Sequence, residues 1–207
     1  MGRTVQIAIV GGSGSGKTWL AERLCALLGG AAVRLSLDDF YRDLSTLPPE
    51  ERAAANFDEP AAVDWSCVRR VLEALARDAV VEAPRYDFAS HTRRPSPRRV
   101  AARDFLVWDG LWLLHEAWLR ACFAVGVYVD CPPAERLARR IVLDTRERGR
   151  SEASVRRQFE GQVIPMHRRH VEPQRDWATC RVVSPVDEAT LRGLADRVRS
   201  LRCRPEP

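Results

Sequence analysis

The chain has 207 residues, which is the length of one ordinary domain or of one domain with an insertion. Its residues are 45% hydrophobic and 29% charged, a composition that excludes a disordered or fibrous protein. The net charge of +5 predicts an anionic partner, either nucleic acid or a phosphorylated small molecule. Lys17 is the one lysine among 33 basic residues, and it therefore requires an explanation of its own.

The first elements are a strand, a turn and a helix. An apolar run over residues 5–10 leads into a glycine-rich turn, and leucines at helical spacing follow that turn. A second strand over 32–37 ends at Asp38 and Asp39, and Pro48 and Pro49 then predict irregular chain. Apolar residues spaced three and four positions apart predict an amphipathic helix over about 64–78.

The second half of the chain continues the alternation of strands and helices after an interruption. Residues 79–100 contain three prolines and short β-rich pieces, so we expect a small inserted β-hairpin region. Strands are predicted over 105–108, 125–129 and 180–183, and the first two run into Asp109 and Asp130. Residues 134–159 are typical of a helix, a charged loop and a second helix, and an amphipathic helix closes the chain. This order predicts an α/β fold with a mainly parallel five-stranded sheet and helices on both faces.

The segment after the first strand fits the pattern Gly-x-x-x-x-Gly-Lys-Ser/Thr in its required context. Backbone N–H groups of such a loop surround a phosphate, and the following helix adds partial positive charge. A flexible ammonium follows a moving γ-phosphoryl group better than a rigid guanidinium does, and a hydroxyl beside it is placed for Mg²⁺. We therefore predict a three-layer P-loop NTPase fold that binds ATP and Mg²⁺ through Gly11, Gly12, Ser13, Gly14, Ser15, Gly16, Lys17 and Thr18.

Four further motifs occur in order downstream of this loop. They are Ser-Leu-Asp-Asp-Phe-Tyr at 36–41, Asn-Phe-Asp-Glu-Pro at 56–60, Pro-Arg-Tyr-Asp-Phe with Ser-His-Thr-Arg at 84–93, and Glu-Arg-Gly-Arg at 147–150. Over about residues 5–185 the set resembles the uridine-cytidine kinase family, relatives of phosphoribulokinase. The resemblance implies one kinase domain over 1–207, with a nucleoside-binding hairpin region at 79–100 and a lid at 134–159. It also implies transfer of the ATP γ-phosphoryl group to the 5′-hydroxyl of uridine, with cytidine left open.

The resemblance assigns roles on the acceptor side. Asp38 matches the carboxylate that orients the hydroxyl and takes its proton, and Asp58 matches the one that accepts from the ribose hydroxyls. Either could instead cap a helix or turn. Tyr86 and Phe88 offer flat surfaces to a base, and His91 offers a ring N–H. Tyr41 matches a substrate-side residue but could equally pack under the loop.

On the metal side the resemblance pairs Thr18 with Asp109. The family carries a glutamate at this position, so the shorter Asp109 is expected to hold Mg²⁺ through a water molecule. The alternative is that Asp109 caps a helix that begins at Leu111.

The lid region contains eight arginines between residues 136 and 157, and most are expected on a solvated helical face. Arg140, Arg148 and Arg150 match lid arginines that neutralise the transferring phosphoryl group, and Gln158 matches a substrate contact. Leu143 stands where the family has another arginine, so Arg139 or Arg146 would supply that contact or it is missing.

Departures also occur near the end. Thr179 replaces an adenine-side aspartate of the family, and Trp177 is expected in the core. His167 and His170 lie at helical spacing without further plausible ligands, so no metal site is predicted there.

Two other functions stay open. A kinase of another riboside or vitamin, such as nicotinamide riboside, would use the same ribose carboxylate with a different base pocket. A nucleic-acid-dependent ATPase would need an arginine stripe with stacking aromatics, whereas the basic run here is balanced by acids. We therefore expect a small nucleoside as partner, no nucleic acid and no membrane, while the resemblance allows a homo-oligomer.

The compartment follows from what the sequence lacks. No apolar run approaches the roughly 18 residues of a membrane span, and residues 1–10 lack the features of a signal peptide. The six cysteines form no Cys-x-x-Cys pair and are mostly in apolar segments, as expected of reduced core residues. A cytoplasmic protein is predicted.

Overall fold

A computed structural model describes residues 4–77, 79–147 and 149–202. The strands, in chain order, are β1 (Val5–Gly11), β2 (Ala32–Ser36), β3 (Val80–Ala83), β4 (Tyr86–Asp87), β5 (Thr92–Arg93), β6 (Arg98–Ala101), β7 (Phe105–Gly110), β8 (Val125–Asp130) and β9 (Cys180–Val183). The helices are α1 (Lys17–Leu28), α2 (Pro49–Ala54), α3 (Trp65–Ala76), α4 (Ala117–Arg120), α5 (Pro133–Glu147), α6 (Glu152–Gln158), α7 (Ile164–Met166) and α8 (Glu188–Arg202).

The central sheet has five strands in the order β2-β7-β1-β8-β9, and every neighbouring pair is parallel. Alternate residues of β1 face opposite layers. Ile7 and Ile9 pack with α1 and α8, whereas Ala8 and Val10 belong to a second cluster that includes Trp108 and α3. The predicted three-layer α/β fold is therefore confirmed.

Two short antiparallel pairs lie within residues 80–101, where β-rich pieces were predicted. β3 pairs with β6, and β4 pairs with β5. The backbone N–H of Tyr86 donates to Asp39 Oδ1 at 3.2 Å, which fixes β4 to the turn after β2. This contact places the β4-β5 hairpin beside the carboxyl ends of the parallel strands.

Two helix boundaries differ from the sequence-based expectation. Pro49 begins α2, a six-residue helix, where irregular chain was predicted. Proline suits the first position of a helix because its φ is already helical and its missing N–H would have no partner there. α3 begins after Asp64, whose side chain accepts from the Cys67 N–H at 3.0 Å, and it ends at Ala76.

The helical chain continues well past residue 159, where the sequence analysis ends it. After α6 come the π-helical segments Phe159–Val163 and His167–Val171 on either side of α7, and then the 3-10 turn Glu172–Asp176. π-helical turns are rare in proteins as a whole, but those that occur are often found at functional sites. This run lies against the loop that carries Asp58, as described below.

Within the described ranges, none of the helices combines the length and the apolar character that a bilayer crossing requires.

Candidate active site

The loop between β1 and α1 has the backbone of a phosphate cradle. Gly14 and Gly16 have φ values of +79° and +90°, a conformation that side chains other than glycine rarely adopt. A Cβ atom at Gly14 would lie 2.5 Å from the carbonyl oxygen of Arg136, so the close approach also requires glycine. Lys17 follows as the first residue of α1, with its side chain on the cavity described below.

The donor set of this loop fits a polyphosphate. The first N–H groups of α1 have no partners in the helix, and the helix dipole places partial positive charge at the same end. Ser15 is fully buried, and its hydroxyl has no hydrogen-bond partner among the described residues. These groups supply what an anionic ligand needs, as the sequence pattern predicts.

A cavity of about 490 Å³ opens beside the loop. Its lining includes every described residue to which the sequence analysis gave a role toward the acceptor, together with Lys17 and two predicted lid arginines: Lys17, Asp38, Tyr41, Asp58, Tyr86, Phe88, His91, Arg140, Arg150 and Gln158. Arg148, predicted as a lid arginine, lies outside the described residues. Side chains from six distant parts of the chain thus face one space.

Asp38 lies in a 3-10 turn, Leu37–Phe40, that directly follows β2. Its neighbour Asp39 accepts the Tyr86 N–H, and burial raises the pKa of Asp39. The two carboxylates therefore differ in their surroundings, because Asp38 lines the 490 Å³ cavity whereas Asp39 anchors the hairpin.

Aromatic rings form one wall of the cavity. Tyr41 and Tyr86 have ring centroids 5.3 Å apart, and Tyr86 is followed at 5.4 Å by Phe88. His91 has a φ of +55°, and its ring stacks on that of Phe57 with the ring centroids 4.7 Å apart and the ring planes at 14°. The Tyr41 hydroxyl donates to the Phe57 carbonyl at 3.1 Å, so Tyr41 both packs under the loop and lines the cavity. The wall offers flat surfaces to a base.

Asp58 is held by neighbours that the sequence analysis did not single out. Its backbone N–H donates to Asn56 Oδ1 at 3.0 Å. Gln162 Nε2 donates to the same Asn56 oxygen and lies 3.4 Å from Asp58 Oδ2. Asn56 was part of a quoted motif, but no sequence signal linked it to Gln162, which lies in a π-helical segment.

The metal-side pair is together, with an additional partner. Thr18 Oγ1 donates to Asp109 Oδ2 at 2.9 Å, and Asp109 is 1% exposed. Asp109 lies inside β7, so the alternative of a helix cap at Leu111 is wrong. Arg34 from β2 donates through Nε to Asp109 Oδ1 at 2.8 Å and through Nη2 to Oδ2 at 3.1 Å.

The sequence analysis missed Arg34. The available signal was a charged residue in the middle of a short apolar strand, since a guanidinium that becomes partly buried there is stabilised by an acidic partner. A hydroxyl and a carboxylate are ligands that Mg²⁺ prefers, so Thr18 and Asp109 fit the ion. The guanidinium of Arg34 already neutralises that carboxylate in this chain.

The lid arginines converge on one acidic side chain and one amide. Arg140 donates through Nη2 to Asp144 Oδ2 at 3.1 Å and to Gln158 Oε1 at 3.0 Å. Arg150 donates to the same Gln158 oxygen, and its Nη1 lies 4.0 Å from Asp144 Oδ2. Asp144, fully buried, was not predicted as a site residue, although its spacing of four from Arg140 was a signal.

Arg139 and Leu143 concern the position where the family has another arginine and this chain has a leucine. Arg139 Nη1 donates to Ser184 Oγ at 2.9 Å and to the Gly14 and Ser15 carbonyl oxygens at 3.3 Å each. Arg139 therefore ties α5 to the phosphate loop. Leu143 is 41% exposed and lines a second cavity beside the phosphate loop.

Residues near the end of the chain have structural contacts. Thr179 Oγ1 accepts from the Gly126 N–H at 3.1 Å, which joins the segment before β9 to β8. Trp177 is 41% exposed with the Arg120 guanidinium 4.4 Å from its ring centre, so the prediction that it fills the core is wrong. The cation-π contact with the guanidinium stabilises the indole ring at the surface, where it is not buried.

His167 lies behind the phosphate loop. Burial and the positive charges of Arg136, Lys17 and Arg168 lower the pKa of His167 to about 4. A Cβ atom at Gly12 would lie 2.9 Å from its Nδ1 atom, so the two approach closely. The ring is therefore neutral at pH 7 and adds no charge behind the loop.

Comparison with known proteins gives the family. The model of the phosphoribulokinase / uridine kinase family matches residues 6–189. The chain belongs to this family. As a member of the phosphoribulokinase / uridine kinase family, it is 38% identical over 202 residues to a protein named uridine kinase of Deinococcus deserti, with 96% of this chain and 97% of that one covered. It is 39% identical over 179 residues to a uridine kinase of Brevibacillus brevis, with 86% and 84% covered.

Solved structures agree in fold. The phosphoribulokinase of Rhodobacter spheroides superposes with a TM-score of 0.62 at 17% identity, with 89% of this chain and 72% of that chain covered. At this identity the likeness concerns the fold alone.

Proposed function

We propose that this protein is an ATP-dependent uridine kinase, which transfers the γ-phosphoryl group of ATP to the 5′-hydroxyl of uridine. The observation that carries the proposal is that Lys17, Asp38, Asp58 and the aromatic wall all line one cavity of about 490 Å³. Relatives named uridine kinase match nearly the whole chain, which supports the same acceptor.

Different residues bind the donor, align the acceptor and neutralise charge during phosphoryl transfer. The loop amides and Lys17 hold the phosphates of the donor, and Asp38 aligns the 5′-hydroxyl and takes its proton. Because an alcohol is much less acidic than a carboxylic acid, Asp38 accepts the proton late and contributes largely through alignment. Arg140 and Arg150 neutralise charge on the transferring group.

Acceptor recognition uses the other side of the cavity. The carboxylate of Asp58 accepts hydrogen bonds from both ribose hydroxyls, which a neutral side chain does less strongly. Tyr86 and Phe88 provide aromatic surface for the base, and the His91 ring offers an N–H to an exocyclic oxygen. Thr18 and Asp109 would hold Mg²⁺, which supplies positive charge to the β- and γ-phosphates when bound.

The experiment is a panel of acceptors with the purified protein. Uridine, cytidine, 2′-deoxyuridine, thymidine, adenosine and nicotinamide riboside are each incubated with ATP and Mg²⁺, ADP release is followed, and the products are identified by mass spectrometry. Uridine should give the highest kcat/KM, with UMP as product and one ADP formed per UMP.

Other outcomes contradict the proposal in distinct ways. Preferential use of nicotinamide riboside would assign a different base to the same ribose site. ATP hydrolysis that needs added polynucleotide and falls steeply with salt would assign a nucleic-acid-dependent ATPase. Activity that depends on uridine and ignores polynucleotide supports the kinase.

A further inference from the structure

The helical run after the lid loop contacts both halves of the cavity through two glutamines. Gln158 Oε1 accepts hydrogen bonds from the guanidinium groups of Arg140 and Arg150. Four residues later, Gln162 Nε2 donates to Asn56 Oδ1 and approaches Asp58 Oδ2. One continuous helix therefore touches the phosphate side of the site and the carboxylate that faces the acceptor.

Asn56 joins Gln162 to Asp58. Its Oδ1 atom accepts from the Asp58 N–H at 3.0 Å as well as from the Gln162 amide. Its Nδ2 atom lies 3.4 Å from Glu59 Oε2, which keeps the amide in this orientation. Because two donors share one oxygen, the backbone at Asp58 is fixed with respect to the helix that carries Gln162.

The local helix geometry accounts for the reach of Gln162. It lies in the π-helical segment Phe159–Val163, whose first and last residues are buried at 1% and 3% exposure. A π turn holds one more residue than an α turn, and so changes which side chains share a face. In this segment Phe159 and Val163 stay in the interior while Gln162 contacts the loop of Asn56 and Asp58.

We propose that Gln162 is a positioning residue for ribose recognition, which holds Asn56 and Asp58 so that the Asp58 carboxylate meets both vicinal hydroxyls of the acceptor. The inference rests on the proposed function, because it takes Asp58 as the ribose contact. Gln162 acts through Asp58 and takes no part in the transfer itself.

The role has a consequence that depends on the 2′-hydroxyl. A carboxylate that accepts from both hydroxyls must be oriented in two directions at once, so a small displacement weakens the pair of bonds. A 2′-deoxynucleoside offers one of the two hydroxyls and has less to lose. Loss of the Gln162 amide should therefore reduce the preference for a ribonucleoside.

The test is Gln162→Met, which keeps the length of the side chain and removes its donor. The KM for uridine should rise about tenfold and that for 2′-deoxyuridine about twofold. The difference of about fivefold corresponds to the net hydrogen bond of about 1 kcal/mol to the second hydroxyl. The kcat values and the KM for ATP should stay within about twofold of wild type, because the transfer machinery is untouched.

The matched control is Glu160→Gln, an exposed residue of the same π-helical segment, which should leave both acceptors unchanged. Thermal unfolding of each variant reports any general loss of structure. An equal rise of KM for uridine and 2′-deoxyuridine would assign Gln162 a purely structural role and overturn the inference, as would unchanged KM values. Wild-type protein that phosphorylates neither nucleoside would overturn the proposed function together with the inference, whereas wild-type turnover with an unaltered ratio in the variant overturns the inference alone.

Discussion

Arg34 and Asp109 form a bidentate ion pair across neighbouring strands of the sheet. Nε and Nη2 of the guanidinium donate to the two carboxylate oxygens at 2.8 and 3.1 Å. Asp109 is 1% exposed and also accepts from Thr18, so its charge is balanced inside the protein. Such a carboxylate attracts a second cation less strongly than an unpaired one does.

Replacing Arg34 by methionine should strengthen divalent cation binding in the nucleotide-free protein. At an effective dielectric constant of about 20, charges about 4 Å apart interact by about 4 kcal/mol, so a gain of at least about tenfold in affinity is expected. Mn²⁺ binding is measured by electron paramagnetic resonance, and the unfolding temperature is recorded with and without Mg²⁺. Arg23→Met, which removes an exposed partner of Glu188, is the control. Equal Mn²⁺ affinity in Arg34→Met and wild type would refute this effect of the ion pair.

Asp38→Asn should lower kcat by about 100-fold or more with a modest change in KM, because a neutral amide aligns the hydroxyl less strongly than a carboxylate does and cannot take its proton. Steady-state kinetics with uridine and ATP provide the measurement. Asp39→Asn is the neighbouring control, since its amide oxygen can still accept the Tyr86 N–H. Turnover of Asp38→Asn close to that of wild type would remove Asp38 from its proposed role.

Asp144→Asn should destabilise the protein by about 3–5 kcal/mol, because it leaves the buried guanidinium of Arg140 without its carboxylate. Urea unfolding measures the free energy directly. The control is Glu135→Gln, which breaks an exposed pair with Arg139 at the same spacing of four and should cost less than about 1 kcal/mol. Similar losses in the two variants would contradict the importance of burial.

His167 should make the protein sensitive to acid. Its pKa is about 4 in the folded protein against an ordinary value of 6.5, so the unfolded chain binds more protons between these pH values. The contribution of His167 to stability is complete above about pH 6.5 and declines as the pH falls toward 4, by about 3 kcal/mol in total. His167→Phe should flatten the dependence of the unfolding free energy on pH over this range. A variant with the slope of wild type would show that other groups cause the acid sensitivity.

The sequence alone predicted the architecture and most of the site. Local signals suffice for strands and helices with clear periodicity, and the phosphate loop is a continuous motif whose glycines are required by its backbone. Ordered motifs downstream placed Asp38, Asp58 and the aromatic residues in one predicted pocket, and they do line one cavity.

The tertiary structure decided which side chains hold those residues in place. Arg34 pairs with Asp109, and Gln162 reaches Asn56 and Asp58, across separations in sequence at which no local pattern connects them. Asp144 has a visible spacing from Arg140, but only burial distinguishes it from the solvated pairs around it. Period and propensity act over a few neighbouring residues, whereas burial and charge pairing arise when distant segments pack, and so these supporting contacts emerged only with the fold.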